Sequence, residues 1–134
     1  MVEIAIGIVG LWVAYATYKK SFPSTPPEPV EEKANFLANY RMTQQLSLEV
    51  QGLVQQYIDK GYGDREMYVN ITFQQFLDVA KEEFDKCLSN KLYTELEAMQ
   101  MTKSNIESML KMIETQNMSL TELRNQMIFL NRAG

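Results

Sequence analysis

Histidine is absent from this 134-residue chain, cysteine occurs once, and no run of lysines or arginines offsets the net charge of −4. The first absence removes the commonest general base and the commonest transition-metal ligand. A lone Cys87 permits neither an intrachain disulfide nor a cysteine-based zinc site, and it suits a reducing compartment. The 17 acids and 13 bases are interspersed along the chain. Phosphate-backbone binding needs clustered Lys/Arg, so nucleic acid is not an expected partner. Carboxylates, tyrosine and lysine can catalyse without histidine, but no pairing of them stands out. The expectation is a protein without enzymatic activity, cofactor, metal or small-molecule substrate.

All four prolines lie between residues 23 and 29, and what stands before them is nearly free of charge. From Ile4 to Ala16 the chain is apolar or small without interruption, and Glu3 is the only charge ahead of Lys19. Met1 to Tyr18 would rise about 27 Å as a helix, enough to cross a roughly 30 Å hydrocarbon layer with little tilt. Trp12, Tyr15, Tyr18, Lys19 and Lys20 then form an interfacial anchor of aromatic and basic side chains. A cleaved signal peptide would need a positive amino-terminal region, and the first charge here is an acid. A core helix would be amphipathic, and this segment is apolar all round. The reading is a transmembrane helix with its basic anchor over 1–20, and the lipid bilayer is the first partner.

Orientation follows from Lys19 and Lys20. The positive-inside rule puts everything after them in the cytoplasm and the N-terminus outside. Gly7, Gly10 and Ala14 would allow close approach of a second helix within the membrane. Residues 21–29 are a proline-rich linker, extended and semi-rigid. Residues 30–134 are expected to form a cytosolic all-α domain, a small bundle or hairpin with a heptad-like last helix.

Within that domain, Val30, Ala34, Leu37 and Arg41 lead into Leu46, Val50, Leu53 and Tyr57 at helical spacing, with a polar interval near Arg41 to Gln45 that suggests a bend. Gly61 is placed to end this helix in a left-handed conformation. Tyr68 to Phe73 alternates enough for a short strand, but with no second strand in view residues 64–71 read as an extended loop. Thr72 and Gln75 match a capping box, opening a helix to about Ser89 whose inner face carries Phe73, Phe76, Leu77, Ala80, Phe84, Cys87 and Leu88. Asp78, Glu82 and Asp85 fall on the opposite, solvated face.

The last third has apolar 4-3 spacing through Leu92, Leu96, Met99, Lys103, Ile106, Leu110 and Ile113. A shifted frame follows through Met109, Ile113, Gln116, Leu120, Leu123, Met127 and Leu130. Capping boxes at Ser104–Glu107 and Ser119–Glu122 allow a break, more readily near Asn117-Met118-Ser119, and an antiparallel hairpin and a continuous coiled coil both fit the spacing. Met101, Met112 and Phe129 lie off the main stripe. With Leu123 and Met127 they are the expected contacts for a homo-oligomer or hetero-complex through the C-terminal helices. The function expected is therefore a single-pass membrane protein whose cytosolic helices mediate self-assembly or partner binding. The alternative is an oligomeric membrane-disrupting or pore-forming effector, as in bacterial antiviral defence.

Overall fold

A computed structural model describes residues 29–133. The 1–20 segment, most of the 21–29 linker, and Gly134 lie outside the described residues. Of those described, 84% are helical, which makes the class all-α despite one small hairpin. Among them, no helix is long and apolar enough to cross a membrane.

The first helix, α1 (Val30–Tyr57), is the organising element. Glu31 and Glu32 in its first turn oppose the positive end of the helix dipole. It runs through the Arg41–Gln45 interval without the expected bend. Its inner face is Phe36, Tyr40, Thr43, Gln44, Leu46, Ser47, Val50, Gln51, Val54 and Tyr57. That corrects the sequence reading of the first turns: Val30 is 75% exposed, Ala34 and Arg41 face solvent, and Phe36 and Tyr40 take the core. The reason is chemical. Four buried polar side chains, Thr43, Gln44, Ser47 and Gln51, carry this face where an apolar pattern would have marked it.

A π-helical turn (Ile58–Tyr62) closes α1, with Gly61 at φ 100°, the left-handed conformation expected there. The expected loop over 64–71 is instead a hairpin of β1 (Glu66–Tyr68) and β2 (Ile71–Thr72), antiparallel, with Glu66 opposite Thr72 and Tyr68 opposite Ile71. Asn70, at φ 64°, supplies the left-handed turn residue. The alternation from Tyr68 marks the second strand, and its partner, three residues long, is too short to be seen by alternation.

The capping box forms as read. Thr72 Oγ1 accepts from the Gln75 amide at 3.1 Å, and Gln75 Oε1 accepts from the Thr72 amide at 2.9 Å. It starts α2 (Phe73–Cys87), which buries Phe73, Phe76, Leu77 and Cys87, with Leu88 just beyond its end and Ala80 and Phe84 partly covered. Asp78, Glu82 and Asp85 are exposed. After Leu88, Ser89 caps α3 (Asn90–Ala98) by accepting from the Leu92 amide at 3.1 Å. The last helix, α4 (Lys103–Ala133), is continuous. The break expected at Ser104 or Ser119 falls at Met99–Thr102, where Thr102 Oγ1 accepts from the Asn105 amide at 3.3 Å. Asn117 lies mid-helix because its side chain is engaged in the core, leaving no competition with its own backbone.

Cross-contacts fix the directions. The Tyr57 ring packs against Phe73 (centroids 4.6 Å apart, tilted by 55°), while Tyr40 donates to the Cys87 carbonyl at 2.7 Å, so α2 is antiparallel to α1. The descent continues along α3, since Lys33 reaches the carbonyls of Glu97 and Met99. Thr43 meets Asn117, and the Leu53 carbonyl accepts from Asn131 at 3.0 Å, so α4 is parallel to α1. The result is a three-armed helical bundle, up, down and up. Its middle arm is broken between α2 and α3, and α1 is about 42 Å long. One core runs through it, from Phe36 and Tyr40 to Leu120, Leu123 and Met127.

Candidate interaction surface

The side chains that α1 buries as polar groups meet needs created elsewhere. The α2–α3 break leaves helix-end carbonyls without intrahelical donors. Tyr40 supplies one to Cys87, and Gln44 Nε2 donates to the Leu88 carbonyl at 2.6 Å and to Asn90 Oδ1 at 3.2 Å. Arg41 adds a hydrogen bond to Asn90 Oδ1 at 2.8 Å and lies 3.5 Å over the Tyr93 ring. Along the α1–α4 seam, the Thr43 hydroxyl is shared between the Asn39 carbonyl, at 2.8 Å, and Asn117 Oδ1. Asn117 Nδ2 donates to Asn39 Oδ1 at 3.3 Å. Gln116, beside it, is buried, and its Nε2 has no hydrogen-bond partner among the described residues. Glu49 and Arg124 close the seam at the surface, 3.7 Å apart.

The outward face of α4 is different. Met118 is 68% exposed and Phe129 is 70% exposed. Three turns of helix separate them, so both point away from the bundle. Phe129 and Leu130, with Asn125 and Gln126, line a shallow, open depression. A second apolar spot lies at the hairpin, where Val69 is exposed and Asn70, Ile71 and Val79 border another shallow hollow.

Of the contact residues read from sequence, only Phe129 is on this surface. Leu123 (3% exposed) and Met127 (1%) are core residues facing the seam, and Met101 (1%) is buried at the α3–α4 bend. Met112 is partly buried against the core. The correction has one cause. α4 turns its 4-3 stripe toward α1 of the same chain, so the stripe is already occupied. Charges placed at Leu123 or Met127 would disrupt the fold before any assembly. Met118 escaped the sequence reading because it sits between Asn117 and Ser119, in a stretch taken for a break. The residues expected to anchor the chain in a membrane, Trp12, Tyr15, Tyr18, Lys19 and Lys20, and the small residues Gly7, Gly10 and Ala14, lie outside the described residues.

Cys87 is buried, and burial pushes its thiol up to about 12, helped by the Glu83 carboxylate 3.7 Å from Sγ. It is a core thiol, poorly suited to nucleophilic chemistry. Among the described residues, no group of Cys, Asp and Glu is placed to hold a metal ion. No protein-family model matches the chain, no curated protein matches it, and no solved structure matches it.

Proposed function

We propose that the chain is a single-pass membrane protein whose helical domain, on the cytoplasmic side, is a non-enzymatic assembly module that binds copies of itself or a protein partner. The observation that carries this reading is Phe129, a large aromatic ring held 70% exposed on a rigid helix beside Leu130. Exposed aromatics in shallow hollows are the kind of residue that anchors protein contacts. The apolar run 1–18 and the Lys19–Lys20 pair support the membrane part, which rests on sequence alone.

The test is chemical crosslinking of the full-length chain in native membranes, with Phe129→Glu compared against wild type. The ring contributes little to the core, so the variant keeps its helical content and membrane insertion while losing the crosslinked species. Release of the wild-type chain from membranes by alkaline carbonate would overturn the spanning reading. The pore-forming alternative, for which Gly7, Gly10 and Ala14 would pack the spans, separates by a membrane-potential dye: expression depolarises cells if it holds and leaves them unchanged if the module is a scaffold.

A further inference from the structure

The link between α3 and α4, Met99-Gln100-Met101-Thr102, contains neither glycine nor proline, and methionine and glutamine are good helix formers. The local stop signal there is the Thr102 hydroxyl, which accepts from the Asn105 amide at 3.3 Å. The 4-3 spacing from Leu92 to Ile113 nevertheless runs across the link, with Lys103 the charged member of the series, as one continuous helix would have it. The bend is also held from outside. Lys33 Nζ, on α1, donates to the carbonyl of Glu97 at 2.7 Å and to that of Met99 at 2.6 Å. In an uninterrupted helix those two carbonyls accept from the amides of Met101 and Lys103. The ammonium group therefore occupies the acceptors that straightening would use, and buried Met101 pins the loop beneath it.

We infer that the α3–α4 link is a hinge clasped by Lys33, and that its straightening lets two copies of the chain exchange α4 and form a swapped dimer. This goes beyond the function proposed above, since it is a mode of self-association that uses the buried α1–α4 seam and not the Phe129 surface. The exchange re-forms the α1–α4 seam between copies, including Thr43 with Asn117, Glu49 with Arg124 and Leu53 with Asn131. Only the hinge and the association entropy then separate the two states. Because α3 descends toward Val30, the straightened helix passes the N-terminal end of α1. The two bundles join end to end there. Confinement to one membrane would favour the exchange by raising the local concentration.

The experiment uses full-length chains with two different tags, one carrying Glu49→Cys and the other Arg124→Cys, co-expressed and treated with a short bis-maleimide. Exchange gives a crosslink between the two tagged chains. Gln100→Pro should reduce it, since proline inside a helix disfavours the straight form about a hundredfold per hinge. The bent form favours this substitution on three counts: Met99 is already extended (φ −77°, ψ 133°), Gln100 is exposed, and among the described residues its amide donates to no backbone carbonyl. Lys33→Met, which keeps the stem and removes the donors, should raise the crosslink several-fold. A chain carrying both cysteines together with Gln100→Pro must still crosslink internally if it folds; if it does not, the Lys33→Met arm decides alone. Absence of the inter-copy crosslink, or indifference to both substitutions, overturns the swap. If lysine-reactive crosslinking still joins copies in that case, self-association stands by another surface.

Discussion

The buried Thr43–Asn117 contact makes an asymmetric prediction. Thr43 has one hydroxyl proton and two acceptors in reach, the Asn39 carbonyl and Asn117 Oδ1. Thr43→Val is close to isosteric and removes the hydroxyl that, among the described residues, donates to Asn117 Oδ1, stranding an amide oxygen in the core. That costs about 1–3 kcal/mol. Asn117→Leu removes the amide instead, and the hydroxyl still donates to the Asn39 carbonyl, so its cost should be below about 1 kcal/mol. The double variant leaves nothing stranded between these two positions and should be near neutral or more stable than wild type. The coupling between the sites is then on the order of 1–2 kcal/mol, within the range for residues in direct contact.

Urea unfolding of fragment 30–134, followed by far-UV circular dichroism, reads this directly. Residues 29–133 contain a continuous core from Phe36 to Met127, so the fragment is a fair host. With a slope of roughly 1–3 kcal/mol per molar urea, Thr43→Val should lower the midpoint by about 1 M at unchanged slope. Equal losses from both single substitutions, or losses that simply add in the double, would refute the shared-proton account.

Other expected outcomes follow from burial and charge. Phe76→Ala should destabilise the same fragment by about 3–5 kcal/mol, and Asp78→Ala, across the helix, by no more than about 0.5 kcal/mol; urea midpoints distinguish them. The raised Cys87 thiol makes stability constant below the ordinary thiol range and lets it fall as pH climbs from about 9 toward about 12, because the unfolded chain loses its proton first. Thermal melts of wild type and Cys87→Ala across that window should converge at high pH, and Cys87 should resist maleimide at pH 8 until urea unfolds the chain. Replacing Lys19 and Lys20 with Asn, with two lysines added after Met1, should give mixed or inverted topology in a C-terminal reporter assay.

Legibility differed from element to element for physical reasons. The inner face of α2 could be read because every position on it is aromatic, aliphatic or sulfur-bearing, and because the Thr72–Gln75 box announces its start. The second heptad frame of α4 could be read as apolar, with Met109, Ile113, Leu120, Leu123 and Met127 all buried. Its partner could not, since an apolar stripe is the same whether it meets α1 or another chain. The inner face of α1 was illegible where Thr43, Gln44, Ser47 and Gln51 replaced apolar residues. The α3–α4 bend was illegible because Lys33, which holds it from outside, lies more than sixty positions away in the sequence. The Phe129 surface was found by its offset from the stripe, whereas Met118 was hidden by a misplaced break.

These failures share an origin, which bears on how the bundle works. A chain with few glycines and with every proline ahead of α1 cannot easily end its helices by local means. It ends two of them with side chains from α1: Tyr40 and Gln44 serve the carbonyls at the α2–α3 break, and Lys33 serves those at the α3–α4 bend. Ends satisfied at a distance persist only while the donor helix stays docked. The α2–α3 break is secured by two buried hydrogen bonds and Leu88 in the core. The α3–α4 bend depends on one long, partly exposed lysine, one buried methionine and the Thr102 hydroxyl that caps α4. Of the two joints, the second is the weaker, and α4, the helix it releases, carries both the apolar stripe and Phe129. Loosening that joint alone leaves α4 held by its buried stripe, Ile106 to Met127, so α4 would leave its own α1 only where the α1 of another copy covers that stripe.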